Sequence, residues 1–249
     1  MSGHSKWSSI KHQKGVADVR RGKLFTKLTR EIIVAVRNGG ASPETNHRLR
    51  LAIQKARDSS MPSDNIERAI KRGDGTLEGA TLVEIALEGY SPGGAAILVE
   101  ALTDNRNRTI QDVRNIFTKS GGSLGESGSV TWLFDSKGLI IIETADQNAD
   151  ELALRAIDAG ADDVNTEKGY IEVYTKPEEL EVVRTMLEQD SAIINSAELV
   201  KVPKTTVNLD EKTTLQVLKL LDKLEELDDV QHVSSNVDFA DDVLGKYKV

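Results

Sequence analysis

Cysteine is absent from all 249 residues, which excludes disulfides, thiolate metal sites and a cysteine nucleophile together. Aromatic side chains are scarce, at 4% of the chain. No stretch approaches the ~18 consecutive apolar residues that a membrane-spanning helix needs. The opening residues, MSGHSKWSSI, carry a lysine early and lack an apolar core, so they do not read as a secretory signal. No G-x-x-x-x-G-K-[ST] stretch occurs, which excludes a P-loop nucleotide hydrolase. These absences lead to the expectation of a cytoplasmic protein with no membrane partner. At ~100–200 residues per domain the length allows one to three domains.

Charge is plentiful, at 29% of residues, and the net value of −8 hides its distribution. Residues 1–75 hold 16 Lys/Arg against 7 Asp/Glu, a net of +9, whereas residues 76–249 hold 16 against 33, a net of −17. A basic arm on an acidic body points to a polyanionic partner for the N-terminal part.

Hydrophobic spacing predicts an amphipathic helix over 16–37, with Leu24, Phe25, Leu28, Ile32, Ala35 and Val36 on one side. Arg20, Lys23, Lys27, Arg30 and Arg37 fall on the opposite arc, a face suited to phosphates. A second helix is expected from Ser42-Pro43 and a third after Pro62, capped by Ser63 or Asp64 and stopped by Gly73. From residue 80 the period changes to that of strands. Val83–Glu88 and Ala95–Leu102 read as two strands, followed by a polar loop at Thr103–Arg108 and a helix carrying Ile110, Val113 and Phe117. Val130–Phe134 reads as a further strand. Residues 138–201 then run strand, helix, hairpin, helix, strand, the βαββαβ order of ferredoxin-like units. Strand, helix and strand at Thr205–Leu209, Thr213–Leu227 and Val230–Phe239 are too few to stand alone.

The expected fold class is therefore α+β and multidomain. A basic three-helix domain with its arm occupies 1–78. A discontinuous α/β domain takes 79–135 plus 202–249, and a ferredoxin-like α/β domain at 136–201 is inserted into it.

Several local patterns carry no chemistry. Gly121–Gly125 matches G-x-S-x-G, but a nucleophile elbow needs a strand before it and a helix after it, and here the expected order is reversed. His4, His12, His47 and His232 stand at no metal spacing, so no metal and no cofactor are expected. The pairs Asp162-Asp163, Asp228-Asp229 and Asp241-Asp242 read as solvated faces. Lys168–Tyr174 resembles an RNA-binding strand, yet Glu172 stands where an aromatic would stack, and the surrounding unit is acidic. Tyr170 and Tyr174 share a face of that strand. Two clusters remain as candidate nucleic-acid contacts besides the first helix. One is the arm, where Lys6, Lys11 and Lys14 provide charge and Trp7 and His12 provide rings. The other is Asp104–Arg108, a loop of amides and guanidiniums.

With these residues in view the chain resembles the YebC/PmpR family, which includes the mitochondrial translational activator of cytochrome c oxidase. The resemblance rests on Gly3-His4-Ser5-Lys6-Trp7 with Ile10-Lys11-His12, on Arg21–Leu28, on Met61-Pro62 with Asp64–Ile70, on Glu100–Thr109, and on Gly121-Gly122 with Leu124-Gly125. Ser63 and Ser91 depart from the family pattern, where a basic residue and a glycine are expected. The resemblance implies a bacterial member with a helical N-terminal domain, two α/β domains and no enzyme activity. It also implies either a DNA-binding transcriptional regulator or a ribosome-associated translation factor that relieves stalling at proline-rich sequences.

The expected contacts are Lys6, Trp7, Lys11, His12, Lys14, Arg20, Arg21, Lys23, Lys27, Arg30, Arg106 and Arg108, with no catalytic residue. The expected partner is DNA or ribosomal RNA, with the ribosome as the larger assembly in the second case, bound by a monomer.

Overall fold

The computed structural model describes residues 18–144, 149–167, 169–189 and 192–247, apart from the side chains of residues 18–20 and 241. Three helices come first: α1 (Asp18–Gly39), α2 (His47–Asp58) and α3 (Ser63–Gly73). The apolar side of α1 buries Leu28, Ile32, Ile33, Ala35 and Val36 against Leu49, Ala52, Ile53 and Ala56 of α2 and Ile66 and Ala69 of α3. Close approach is enforced at Gly73, where an added Cβ would meet Val36 Cβ at 2.6 Å and the Ile33 carbonyl at 2.9 Å.

Two boundaries differ from the sequence expectation. Helix α2 starts at His47, not at Ser42-Pro43, because buried Asn46 is the stronger cap. Its Oδ1 accepts the Leu49 N–H at 3.0 Å, and its Nδ2 donates to the Ala35 and Gly40 carbonyls at 2.7 and 2.8 Å. In α3, Pro62 takes the cap position without a side-chain bond, so neither Ser63 nor Asp64 caps it. Asp64 instead lies in the first turn, where a carboxylate favours the helix dipole.

The first sheet has strands β1 (Val83–Tyr90), β2 (Ala96–Thr103), β3 (Ser123–Leu124) and β8 (Val230–Ser235), in the order β3-β1-β2-β8 with antiparallel neighbours. Helices α4 (Arg106–Lys119) and α7 (Glu211–Glu225) cover one face, where Ile97, Val99 and Ala101 meet Phe117, Val217 and Leu221. Short helix α8 (Asp241–Lys246), which hydrophobic spacing did not reveal, adds Leu244 to this core, and Tyr247 follows it. On the opposite face Ala96 and Leu98 are covered by Val130 and Phe134.

Val130–Phe134 is not a separate strand. Residues Thr131–Leu133 form a 3₁₀ turn that leads into β4 (Phe134–Glu143). The reason is a buried carboxylate: Glu88 accepts N–H bonds from Gly128 (2.6 Å), Val130 (2.6 Å) and Thr131 (2.8 Å). Those donors are then unavailable to a sheet ladder. Similarly, the expected strand at Thr205–Leu209 amounts to one parallel bridge, Val207 to Val237.

The second sheet contains β4, β5 (Asp163–Glu167), β6 (Tyr170–Thr175) and β7 (Ile193–Pro203), in the order β5-β6-β4-β7, again antiparallel. Helices α5 (Ala149–Asp158) and α6 (Leu180–Gln189) pack on Ile140, Ile142, Ile171 and Val173. On the other face Tyr174 packs with Leu139 and Ile141, and its hydroxyl donates to buried Glu172 at 3.0 Å. The strand with the RNA-binding resemblance is thus a buried part of this sheet. In sequence, the whole second sheet lies between β3 and β8 of the first.

Candidate nucleic-acid interface

Helix α1 places its basic residues one turn apart, and the fold turns much of that row inward. Lys23 Nζ donates to the Glu226 carbonyl at 3.1 Å, and Lys27 Nζ to the Glu225 carbonyl at 2.7 Å. These oxygens end α7, where four carbonyls lack partners within the helix and the dipole is negative. Lysine is therefore as well suited to this helix end as to a phosphate. One turn further on, Arg30 donates to the carbonyls of Leu102 (3.2 Å) and Asp228 (2.8 Å) and pairs with the Asp229 carboxylate.

Asp229 is 7% exposed and is not part of a solvated face, contrary to the reading of the Asp228-Asp229 pair. Its Oδ2 accepts from Thr109 Oγ1 (2.5 Å), Arg108 (2.9 Å) and Thr103 Oγ1 (3.2 Å). Burial alone would raise this carboxyl, but the bonds from Arg108, Thr109 and Arg30 outweigh it and hold it below the usual aspartate value. The stretch Asp104–Arg108 is likewise not a free loop. Asn105 caps α4, accepting the Arg108 N–H at 3.1 Å, and Arg108 also pairs with Asp104 at 2.7 Å.

The structure thus separates the expected contacts. Lys23, Lys27, Arg30 and Arg108 serve the junction between the helical unit and the first sheet. Arg21 and Arg106 are exposed. Lys6, Trp7, Lys11, His12 and Lys14 lie outside the described residues, as does the side chain of Arg20. Sequence reasoning passed over a second group of cations, Arg57, Arg68, Lys71 and Arg72, which are exposed on α2 and α3. Among the described residues no ion pair involves Arg57, Lys71 or Arg72. The signal lies in the net charge of +9 over residues 1–75, which the α1 row and the arm do not account for alone.

A cavity of about 580 Å³ opens where the helical unit meets both sheets. Arg48 bridges Glu31 (2.7 Å) and Glu84 (2.8 Å) at its edge, and Lys55 pairs with Glu198. Burial opposes the charge on Lys55, yet Glu198 holds its pKa above the ordinary lysine value. Burial and the nearby Lys55 charge push His232 below the ordinary histidine value, which favours its neutral form. Among the described residues no cluster of His, Asp or Glu is arranged to hold a metal ion, and no helix is long and apolar enough to cross a membrane.

Comparison with known proteins defines the class of this assembly. The TACO1/YebC N-terminal domain matches residues 5–76, and the TACO1/YebC second and third domain matches residues 82–237. The chain belongs to the TACO1/YebC family. A probable transcriptional regulatory protein of Dehalococcoides mccartyi (strain CBDB1) is 64% identical over 247 residues, covering 99% of this chain and 98% of that protein. One of the same description from Halothermothrix orenii is 51% identical, covering 98% of each. The crystal structure of a conserved hypothetical protein from Aquifex aeolicus superposes with a TM-score of 0.82 at 51% identity, covering 88% of this chain and 91% of that one.

Proposed function

We propose that this protein is a non-enzymatic regulator of gene expression that binds nucleic acid through its basic N-terminal unit. It works as three parts, residues 1–78, 79–135 with 202–249, and 136–201, of which the first grips the phosphates of the polyanion. The observation that carries this reading is the division of cations within that part. Lys23, Lys27 and Arg30 are bonded inward, while Arg57, Arg68, Lys71 and Arg72 face solvent. Exposed Lys and Arg suit phosphate contacts, which position a protein on nucleic acid without carrying sequence information.

The descriptions of the relatives favour DNA and transcription as the level of action. A second reading, a translation factor on ribosomal RNA, fits the side chains equally. The exposed cations on α2 and α3 suit the phosphates of folded RNA as well as those of duplex DNA. Binding of the full chain to duplex DNA and to folded RNA at several salt concentrations tests the common core of both readings. Affinity that falls steeply with salt is expected for at least one; salt-independent or absent binding to both would overturn the proposal. Crosslinking in cells, with sequencing of both bound DNA and bound RNA, separates the two readings.

A further inference from the structure

Among the described aromatic residues only Tyr90 and Trp132 are exposed, at 37% and 65%, and they stand together. The Tyr90 hydroxyl and the Trp132 Nε1–H both donate to the carbonyl oxygen of Ser129, at 3.2 and 3.1 Å. One acceptor thus fixes both rings and uses up the polar group of each. What remains outward is π surface. In a chain with 4% aromatics, leaving two such rings in water has no value for the core, which here is built from Val130 and Phe134 on either side of the turn.

The support beneath them is rigid. Buried Glu88 holds the N–H groups of Gly128, Val130 and Thr131, so the turn that carries Trp132 is anchored at three points. Burial opposes ionisation of Glu88, but these backbone bonds keep its pKa below the usual glutamate value. On the Tyr90 side the Gly121–Gly125 motif has its use. A Cβ at Gly122 would lie 2.6 Å from the Tyr90 carbonyl, and one at Gly89 would lie 2.7 Å from Phe117 and from the Ser123 carbonyl. The glycines let β3 close against the end of β1 and hold Tyr90 in place. A ring fixed before binding loses little entropy on contact.

We infer that Tyr90 and Trp132 form a stacking platform for an unpaired nucleobase of single-stranded nucleic acid. This rests on the proposed function and names the form of nucleic acid that it engages. Stacking asks for ring faces and no hydrogen-bond donors, which is what the pair offers. A cationic side chain would also stack, but the buried carboxylate beneath the rings, Glu88, is engaged by backbone N–H groups. Reach is sufficient as well. The platform flanks Ala96 at the start of β2, and the helical unit joins the sheet near Leu102 at the other end of that strand. Six residues of strand separate them by about 20 Å, a distance that a few nucleotides span.

The test compares full-length wild type with Trp132→Ala, Trp132→Phe and Tyr90→Ala. Each is titrated with a labelled single-stranded RNA, its DNA equivalent and the matching duplex at several salt concentrations. Loss of one stacked base corresponds to a roughly five- to hundredfold weakening. Trp132→Ala is expected to show it on single strands, with duplex affinity and the salt slope unchanged and the melting transition retained. Trp132→Phe keeps a ring and should recover much of the affinity. Single-strand affinity unaltered in Trp132→Ala and Tyr90→Ala would overturn the platform while leaving the proposed function intact. Absence of binding by wild type to every nucleic acid would instead remove the proposed function and the platform with it. Loss, in Trp132→Ala, of binding to an arginine-rich peptide, with single strands unaffected, would overturn the nucleobase in favour of a cationic partner.

Discussion

Arg30 and Asp229, 199 positions apart in the chain, form an ion pair at the junction between the helical unit and the first sheet. Asp229 also receives Arg108, Thr109 and Thr103. Replacing it removes the shared acceptor of four side chains. Asp229→Ala is expected to cost ~3–5 kcal/mol, because breaking a buried pair leaves its partners desolvated and unmatched. Urea unfolding measures this; a loss below about 1 kcal/mol would mean that water replaces the carboxylate.

Acid should act through the same group and through Glu88. Both carboxyls are held below their usual values by hydrogen bonds that outweigh burial. Protons therefore bind the unfolded chain more tightly than the folded one, and the stabilisation is fully present above the unfolded values near 4. It is lost as pH falls through the lower folded values. Melting temperatures of wild type and Glu88→Gln should differ at pH 6 and converge below about pH 4. A constant difference down to pH 2 would contradict an ionised Glu88.

In the helical core, Ile32 is fully buried on α1 whereas Phe25 is half-buried at its edge. Ile32→Ala is expected to destabilise by ~2–5 kcal/mol, and Phe25→Ala by less than the loss for a fully buried ring. The order of the two in thermal unfolding is the check, and a reversed order would place the core closer to the start of α1.

Asn46 supplies the cap of α2 and two bonds to the end of α1. Asn46→Ala should cost about 1–3 kcal/mol, above an ordinary cap loss, since the buried Ala35 carbonyl and the partly buried Gly40 carbonyl lose this donor as well. Asn46→Asp keeps the cap and loses the donor, so its position between wild type and alanine in a denaturant series apportions the two roles.

Nucleic-acid binding should separate the lysines. Replacing Lys6, Lys11 and Lys14 by Ala is expected to flatten the salt dependence by about 0.7–0.9 in log–log slope per lost phosphate contact. Replacing Lys23 and Lys27 should leave the slope unchanged and lower stability, because Glu225 and Glu226 already hold them. A slope that responds to Lys23 and Lys27 would show that α1 leaves α7 when nucleic acid binds.

Periodic burial was the legible part of the sequence. Although burial along β1 does not alternate as expected, with Val83 exposed and Glu88 buried, the stripe of α1, the presence of a strand at β1 and the order of elements around the second sheet follow from local spacing. Boundaries decided by one side chain did not. Ser42-Pro43 has good starting chemistry for a helix, but Asn46 has three partners in reach, two of them on another segment. Val130–Phe134 has the composition of a strand, and Glu88, forty positions earlier, takes its donors. The candidate contacts divide in the same way. That the α1 row is basic could be read directly; that Lys23 and Lys27 meet the end of α7 depends on a chain segment some 200 residues away.

The placement of β8 has a consequence for synthesis. Strand β2 pairs through its length with β1, and its other edge waits for Val230–Ser235. Every residue of the second sheet is made in the interval. During translation the second sheet can close while β2 still has an open edge, and Asp229 reaches Arg30 only with the last tenth of the chain. The helical unit and the first sheet are then joined late. Until that moment the lysines of α1 have no helix end to occupy, and the nascent chain is more basic on its surface than the finished protein.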